Sequence, residues 1–173
     1  MRRRPTLFAW RCLAAKTALA FLVLTGGAAA QTDAPGRTTT WQTSCPSSAP
    51  CIAYAQSGGQ TSVGTVAVRL SVGRRSPTEP VVVVDNGTPV VQARGFGLGV
   101  DANRPLVATI AQCDQVACRA VISGAAAEAL VQQFRRGKEA VLLYFATERQ
   151  PVRIQVTLTG FTAAYRKVSA GGR

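Results

Sequence analysis

Between residues 38 and 159 the chain repeats one pattern: short segments of alternating apolar and polar side chains, divided by turn residues. Gly64–Ser71 puts Val66, Val68 and Leu70 on one side and Arg69 on the other, the period of two that marks a half-buried strand. Val152–Thr159 alternates most cleanly, with Val152, Ile154, Val156 and Leu158 inward and Arg153, Gln155, Thr157 and Thr159 outward. Thr38–Thr43 and its return Cys51–Gln56 read as the first strands, and Gly58-Gly59 as a break. Gly73–Pro80 reads as a basic loop. Val81–Val84 is a short apolar strand, and Asp85-Asn-Gly87 predicts a hairpin turn into Val90-Val91. Ala140–Phe145 is a buried-type strand, closed by a turn at Glu148–Pro151.

Only one segment reads as a good helix candidate. Ala127, Leu130, Val131 and Phe134 share a face, Ser123 stands at the N-cap, and Arg135, Arg136 and Gly137 supply closing chemistry. Gly160-Phe161 breaks the last strand, and 162–168 leads into a loose tail. Some eight short strands, one short α-helix and no βαβ rhythm predict an all-β, antiparallel sandwich in a single domain.

Residues 1–30 depart from the pattern. Arg2, Arg3, Arg4, Arg11 and Lys16 precede an apolar run, Ala18–Leu24, that ends in Ala28-Ala-Ala30, and no acid occurs before Asp33. This predicts a secretory signal peptide cleaved after Ala30; the run falls short of the roughly 20 apolar residues a spanning helix needs. The expected organisation is signal 1–30, flexible tail 31–37, domain 38–168 and C-terminal tail 169–173, with the mature protein in the periplasm, at the cell surface or secreted. The full sequence has 20 basic and 8 acidic residues; five of the basic ones lie before residue 31, which leaves a net charge of +7 beyond it. No run of five or six basic residues marks a nucleic-acid tail.

Export also gives meaning to the cysteines. Cys12 leaves with the signal, and Cys45, Cys51, Cys113 and Cys118 remain, an even set that reads as disulfides in an oxidising compartment. Four cysteines allow three connectivities and sequence alone does not choose. Local pairing, 45–51 and 113–118, is preferred because each pair is close and encloses turn residues. Such short loops contribute about 2 kcal/mol each.

The chain contains no histidine, which removes Ser-His-Asp and Cys-His machinery and the commonest metal ligand. An all-cysteine zinc site would compete with the disulfides, and a thiol oxidoreductase would show Cys-x-x-Cys on a βαβ unit. Asp85, Asp101, Glu128 and the other acids are scattered, mostly in turns or beside strands; a glycosidase would need two of them to converge, and solvated turn residues are the commoner explanation. Arg94–Val100, rich in glycine, lacks both the GxGxxG order and a following helix, so bulges or close backbone approach explain it better than phosphate binding. Asn86-Gly-Thr88 matches a glycosylation sequon that the expected turn already accounts for. No catalytic residue, cofactor or metal is therefore expected.

The order of features resembles the invasion-associated locus B proteins of bacteria. The resemblance rests on a signal peptide, Trp41-x3-Cys45 with Cys51, Cys113-x4-Cys118, a helix ending Arg136-Gly137-Lys138, and Val156-Thr-Leu-Thr-Gly-Phe-Thr-Ala-Ala164. It implies an immunoglobulin-like β-sandwich exported to the periplasm or beyond, and it brings no catalytic residues; some members of the family are associated with bacterial entry into host cells. The expected function is a non-catalytic binding or structural module. Its basic surface, with Arg69, Arg74, Arg75, Arg94, Arg104 and Arg153 as candidates, would meet anionic envelope or host-surface components. The alternatives are a chaperone-like periplasmic factor that pairs an edge strand with clients and, third, a thiol-redox enzyme.

Overall fold

The computed structural model describes residues 37–61, 64–88, 90–114 and 117–171; the expected signal peptide, most of the tail that follows it and the last two residues lie outside them. In chain order the elements are β1 (Arg37–Thr38), β2 (Gln42–Ser44), β3 (Ile52–Thr61), β4 (Gly64–Arg74), β5 (Pro80–Asn86), β6 (Phe96–Val100), β7 (Leu106–Ala108), β8 (Ile110–Cys113), β9 (Cys118–Ile122), α1 (Gly124–Arg136), β10 (Glu139–Thr147), β11 (Gln150–Thr157) and α2 (Phe161–Ser169). All pairings are antiparallel. The first sheet runs β1-β3-β4-β5-β9-β8, with β2 also on β3; the second runs β11-β10-β6-β7. The two sheets form the expected sandwich.

Alternation in sequence becomes burial in space. Val66, Val68, Leu70 and Val72 of β4, Val82 and Val84 of β5, Leu142 and Tyr144 of β10, and Val152, Ile154 and Val156 of β11 are all buried in one core. Polar groups stitch the sheets along β11. Ser57 Oγ and Thr38 Oγ1 donate to the Gln155 carbonyl at 2.7 and 3.0 Å, and Trp41 Nε1 donates to Thr157 O at 2.7 Å. The Gln155 and Thr157 carbonyls on that edge of the second sheet are thus occupied, as a buried backbone acceptor requires.

The structure corrects several sequence expectations. Among the described residues there are two α-helices, not one: Phe161, Ala164, Tyr165 and Val168 follow the 3.6-residue period and are buried in α2, where a loose ending was expected. Gly160, at φ 87°, turns the chain out of β11 into that helix. The second helix closes an aromatic cluster in which Phe161 meets Trp41 edge-on at 4.8 Å, Phe134 at 5.4 Å and Tyr165 in a stack at 5.5 Å.

The hairpin at Asp85–Gly87 is absent. Neither Asn86 nor Gly87 has positive φ, β5 pairs with β4 and β9, and the chain leaves through a 3-10 turn at Gln92–Arg94. Asn86 points inward, fully buried, and its Oδ1 accepts from Thr88 Oγ1 at 2.9 Å, so the sequon is shielded in the folded protein. Gly58 and Gly59 lie within β3, and the expected loop from Gly73 shrinks to 75–79.

Candidate functional site

The six candidate arginines do not form one face. Arg69 stands between buried Val68 and Leu70, on the outer side of the first sheet, with its guanidinium 4.2 Å from the Tyr54 ring centroid. Arg153 stands between buried Val152 and Ile154, on the outer side of the second sheet, 3.9 Å from Glu139. Arg75 pairs with Glu79 at 3.3 Å, and Arg94 pairs with Glu148 at 3.2 Å while lying over Phe145. Arg104 is exposed on the β6–β7 loop. Such exposed pairs are worth little in stability, but they neutralise three of the six charges.

Arg74 is placed differently. At the end of β4 it turns toward α2, where Nη1 donates to Ser169 Oγ at 3.0 Å and the guanidinium lies 6.0 Å from the Tyr165 ring centroid. Its Nε is buried without an acceptor among the described residues. Arg74 lines a groove of about 750 Å³ between α1, α2 and the β4–β5 turn, within the size range of ligand sites.

The sequence builds this groove from helical spacing. The apolar face of α1 docks inward, which turns Ala125, Glu128, Ala129, Gln132 and Arg135 outward at i, i+3, i+4, i+7 and i+10. Two alanines keep one wall low, Pro80, Val131 and Tyr165 give apolar contact, and Thr78 and Ser169 bring hydroxyls. Arg74, Arg135 and Glu128 all line it, yet none of the three is ion-paired among the described residues. The groove can therefore offer guanidinium forks to an anion beside an apolar wall. Sequence reading found Arg74 but missed Arg135, Tyr165 and Ser169 as its companions. The signal for the latter two was the 161–164–165–168 spacing, which places them on a helix.

Acidic groups are mostly engaged elsewhere. Asp101 accepts the backbone N–H groups of Lys138 and Glu139, at 3.1 and 3.0 Å. Asp85 accepts from Arg119 Nε at 2.6 Å; that hydrogen bond and the carboxylate charge raise the Arg119 guanidinium pKa, so it stays ionised. Among the described residues no cluster of three or more His, Cys, Asp or Glu could hold a metal. The cysteines are joined locally, Cys45–Cys51 (S–S 2.09 Å) across β2 and β3, and Cys113–Cys118 (2.02 Å) across β8 and β9. None of the helices described is long and apolar enough to cross a membrane.

No curated protein matches the chain. Among solved structures, the crystal structure of invasion associated protein B from Bartonella henselae is similar at a TM-score of 0.57 and 22% identity, over 78% of this chain and 96% of that one. This likeness extends the sandwich to a second protein without transferring a site. The profile of the family described as Invasion associated locus B (IalB) protein matches residues 41–169, from the tryptophan under the aromatic cluster to the end of α2. The chain belongs to the IalB family.

Proposed function

We propose that this IalB-family chain is an exported, non-catalytic binding module, and that the groove between α1, α2 and the β4–β5 turn takes an anionic group of an envelope or host-surface component. The observation that carries this reading is Arg74. It is half-buried, anchored by a neutral hydroxyl, and faces a groove that holds a second arginine; among the described residues its buried Nε has no acceptor and the second arginine has no ion pair. A half-buried guanidinium without a counter-ion is a standing preference for phosphate, sulfate or carboxylate. The disulfides and the signal-like segment 1–30 support export.

Three probes separate the sources of that anion: lipopolysaccharide, phosphatidylglycerol vesicles and heparin. Arg74→Glu together with Arg135→Glu should weaken binding to the preferred probe at least tenfold, and added salt should weaken it further. Arg75→Glu, outside the groove, should change it little. Binding that ignores salt or the paired reversal, or no binding to any probe, would sink this reading.

One observation favours the chaperone-like alternative. Residues 106–113 carry no charge and form the terminal strand of both sheets, β7 in the second and β8 in the first, with Val107 69% exposed. Uncharged edges of this kind invite strand addition. Salt-insensitive capture of an unfolded client, lost in Val107→Lys, would favour it over the groove.

A further inference from the structure

The outer face of the first sheet carries a second concavity of different chemistry. Gly58 of β3 lies opposite Ala67 of β4, and Gly87 N donates to Ala67 O at 2.9 Å. Three nearly bare positions thus run side by side and form the floor of a depression of about 440 Å³. Gly58 is held bare by its surroundings, since a Cβ there would come within 2.7 Å of Val66 O.

The next row in register forms the wall: Gln56 opposite Arg69, and Arg69 opposite Asp85. Arg69 and Asp85 are held from behind, and Gln56 through its backbone. Tyr54 supports the Arg69 guanidinium, whose Nε is buried without an acceptor among the described residues. Arg119 holds Asp85 through Oδ1, and Oδ2 has no partner among the described residues. Thr39 fixes the Gln56 backbone by accepting from its N–H at 2.9 Å and donating to its carbonyl at 2.7 Å.

The wall therefore presents a fixed sequence of hydrogen-bonding types: an amide that donates and accepts, a guanidinium that only donates, and a carboxylate that only accepts. Adjacent hydroxyls on a sugar ring, each able to donate and accept, match that alternation, and a glycine–alanine floor lets a ring lie close to the backbone. The mixed charges argue against the other ligand classes. Asp85 disfavours an anion, Arg69 and Arg119 disfavour a cation, and the bare floor gives an apolar side chain little to pack on. Holding the Arg69 and Asp85 side chains before binding lowers the entropic cost of association.

We propose that the trough across β3, β4 and β5 is a second binding site, for a neutral saccharide unit with adjacent hydroxyls. It is independent of the anion groove. The test is an amide-resolved NMR titration of the folded protein with maltohexaose, cellohexaose, mannohexaose and galactohexaose, beside hexagalacturonate as the charged control. At least one neutral probe should shift Gly58, Ala67, Asp85 and Gly87 at concentrations up to about 10 mM.

Ala67→Phe, at an exposed position that fills the floor, and Asp85→Ala should each weaken that binding at least tenfold. Arg74→Glu, or salt near 0.5 M where screening reaches only a few Å, should leave it within about twofold. The proposal is overturned if no neutral probe moves these amides, if the charged control binds better, or if Ala67→Phe binds as wild type.

Discussion

The glycine that follows α1, Gly137, has an ordinary extended backbone (φ −81°, ψ 168°), so its small size serves packing and not a left-handed stop. A Cβ there would overlap Val100 Cγ1 and approach Gln133 O to 3.0 Å, and Val100 is fully buried. Gly137→Ala should therefore cost about 1–3 kcal/mol, the usual penalty for overfilling a packed site. Urea unfolding would show it as a lower midpoint at unchanged slope; an unchanged midpoint would mean that Val100 can move aside. Helix-end glycines are commonly read as C-caps, and here a neighbour 37 residues away in sequence decides the residue instead. Asn86 gives the same lesson: its local sequence spells a turn, yet β4 and β9 both pair with its strand and draw it inside.

Elements with a strong internal period were legible before any coordinates. The alternation of β4 and β11 and the apolar stripe of α1 each carry their own burial instruction, and the structure follows it. What could not be read locally was set by distant partners. The α2 stripe is present as the 161–164–165–168 spacing, but over so short a segment its burial is decided by Trp41 and Phe134, which pack on Phe161. The groove was half legible for the same reason, because Arg74 belongs to the expected basic loop while Tyr165 and Ser169 belong to the missed helix. The disulfides, by contrast, join segments already adjacent in sequence and pin strand pairs that backbone hydrogen bonds also hold. Replacing Cys113 and Cys118 with serine should thus cost about 2 kcal/mol, the chain-entropy value for so short a loop. The far-UV circular dichroism should remain β-rich. Loss of all cooperative unfolding in that variant would show that the β8–β9 staple holds more than its own hairpin.

At the scale of the whole molecule, the proposed export would link the surface features to the cysteines. Both binding readings need extracytoplasmic polymers or lipids, and the two disulfides need an oxidising compartment to persist. If residues 1–30 direct secretion, the cellular protein should be shorter than the full sequence, leave the cell on osmotic opening, and show no maleimide-reactive thiol before reduction. A full-length cytosolic protein with four or five reactive cysteines would contradict export and remove the partners from reach. Protease added to intact cells then separates the remaining compartments. Protection until the outer membrane is opened is the expected result, and it would direct the anion groove toward envelope components. Degradation in intact cells, with periplasmic controls spared, would instead expose both the groove and the β3–β5 trough to host-surface glycans, and the same variants could then be carried into host-cell binding assays.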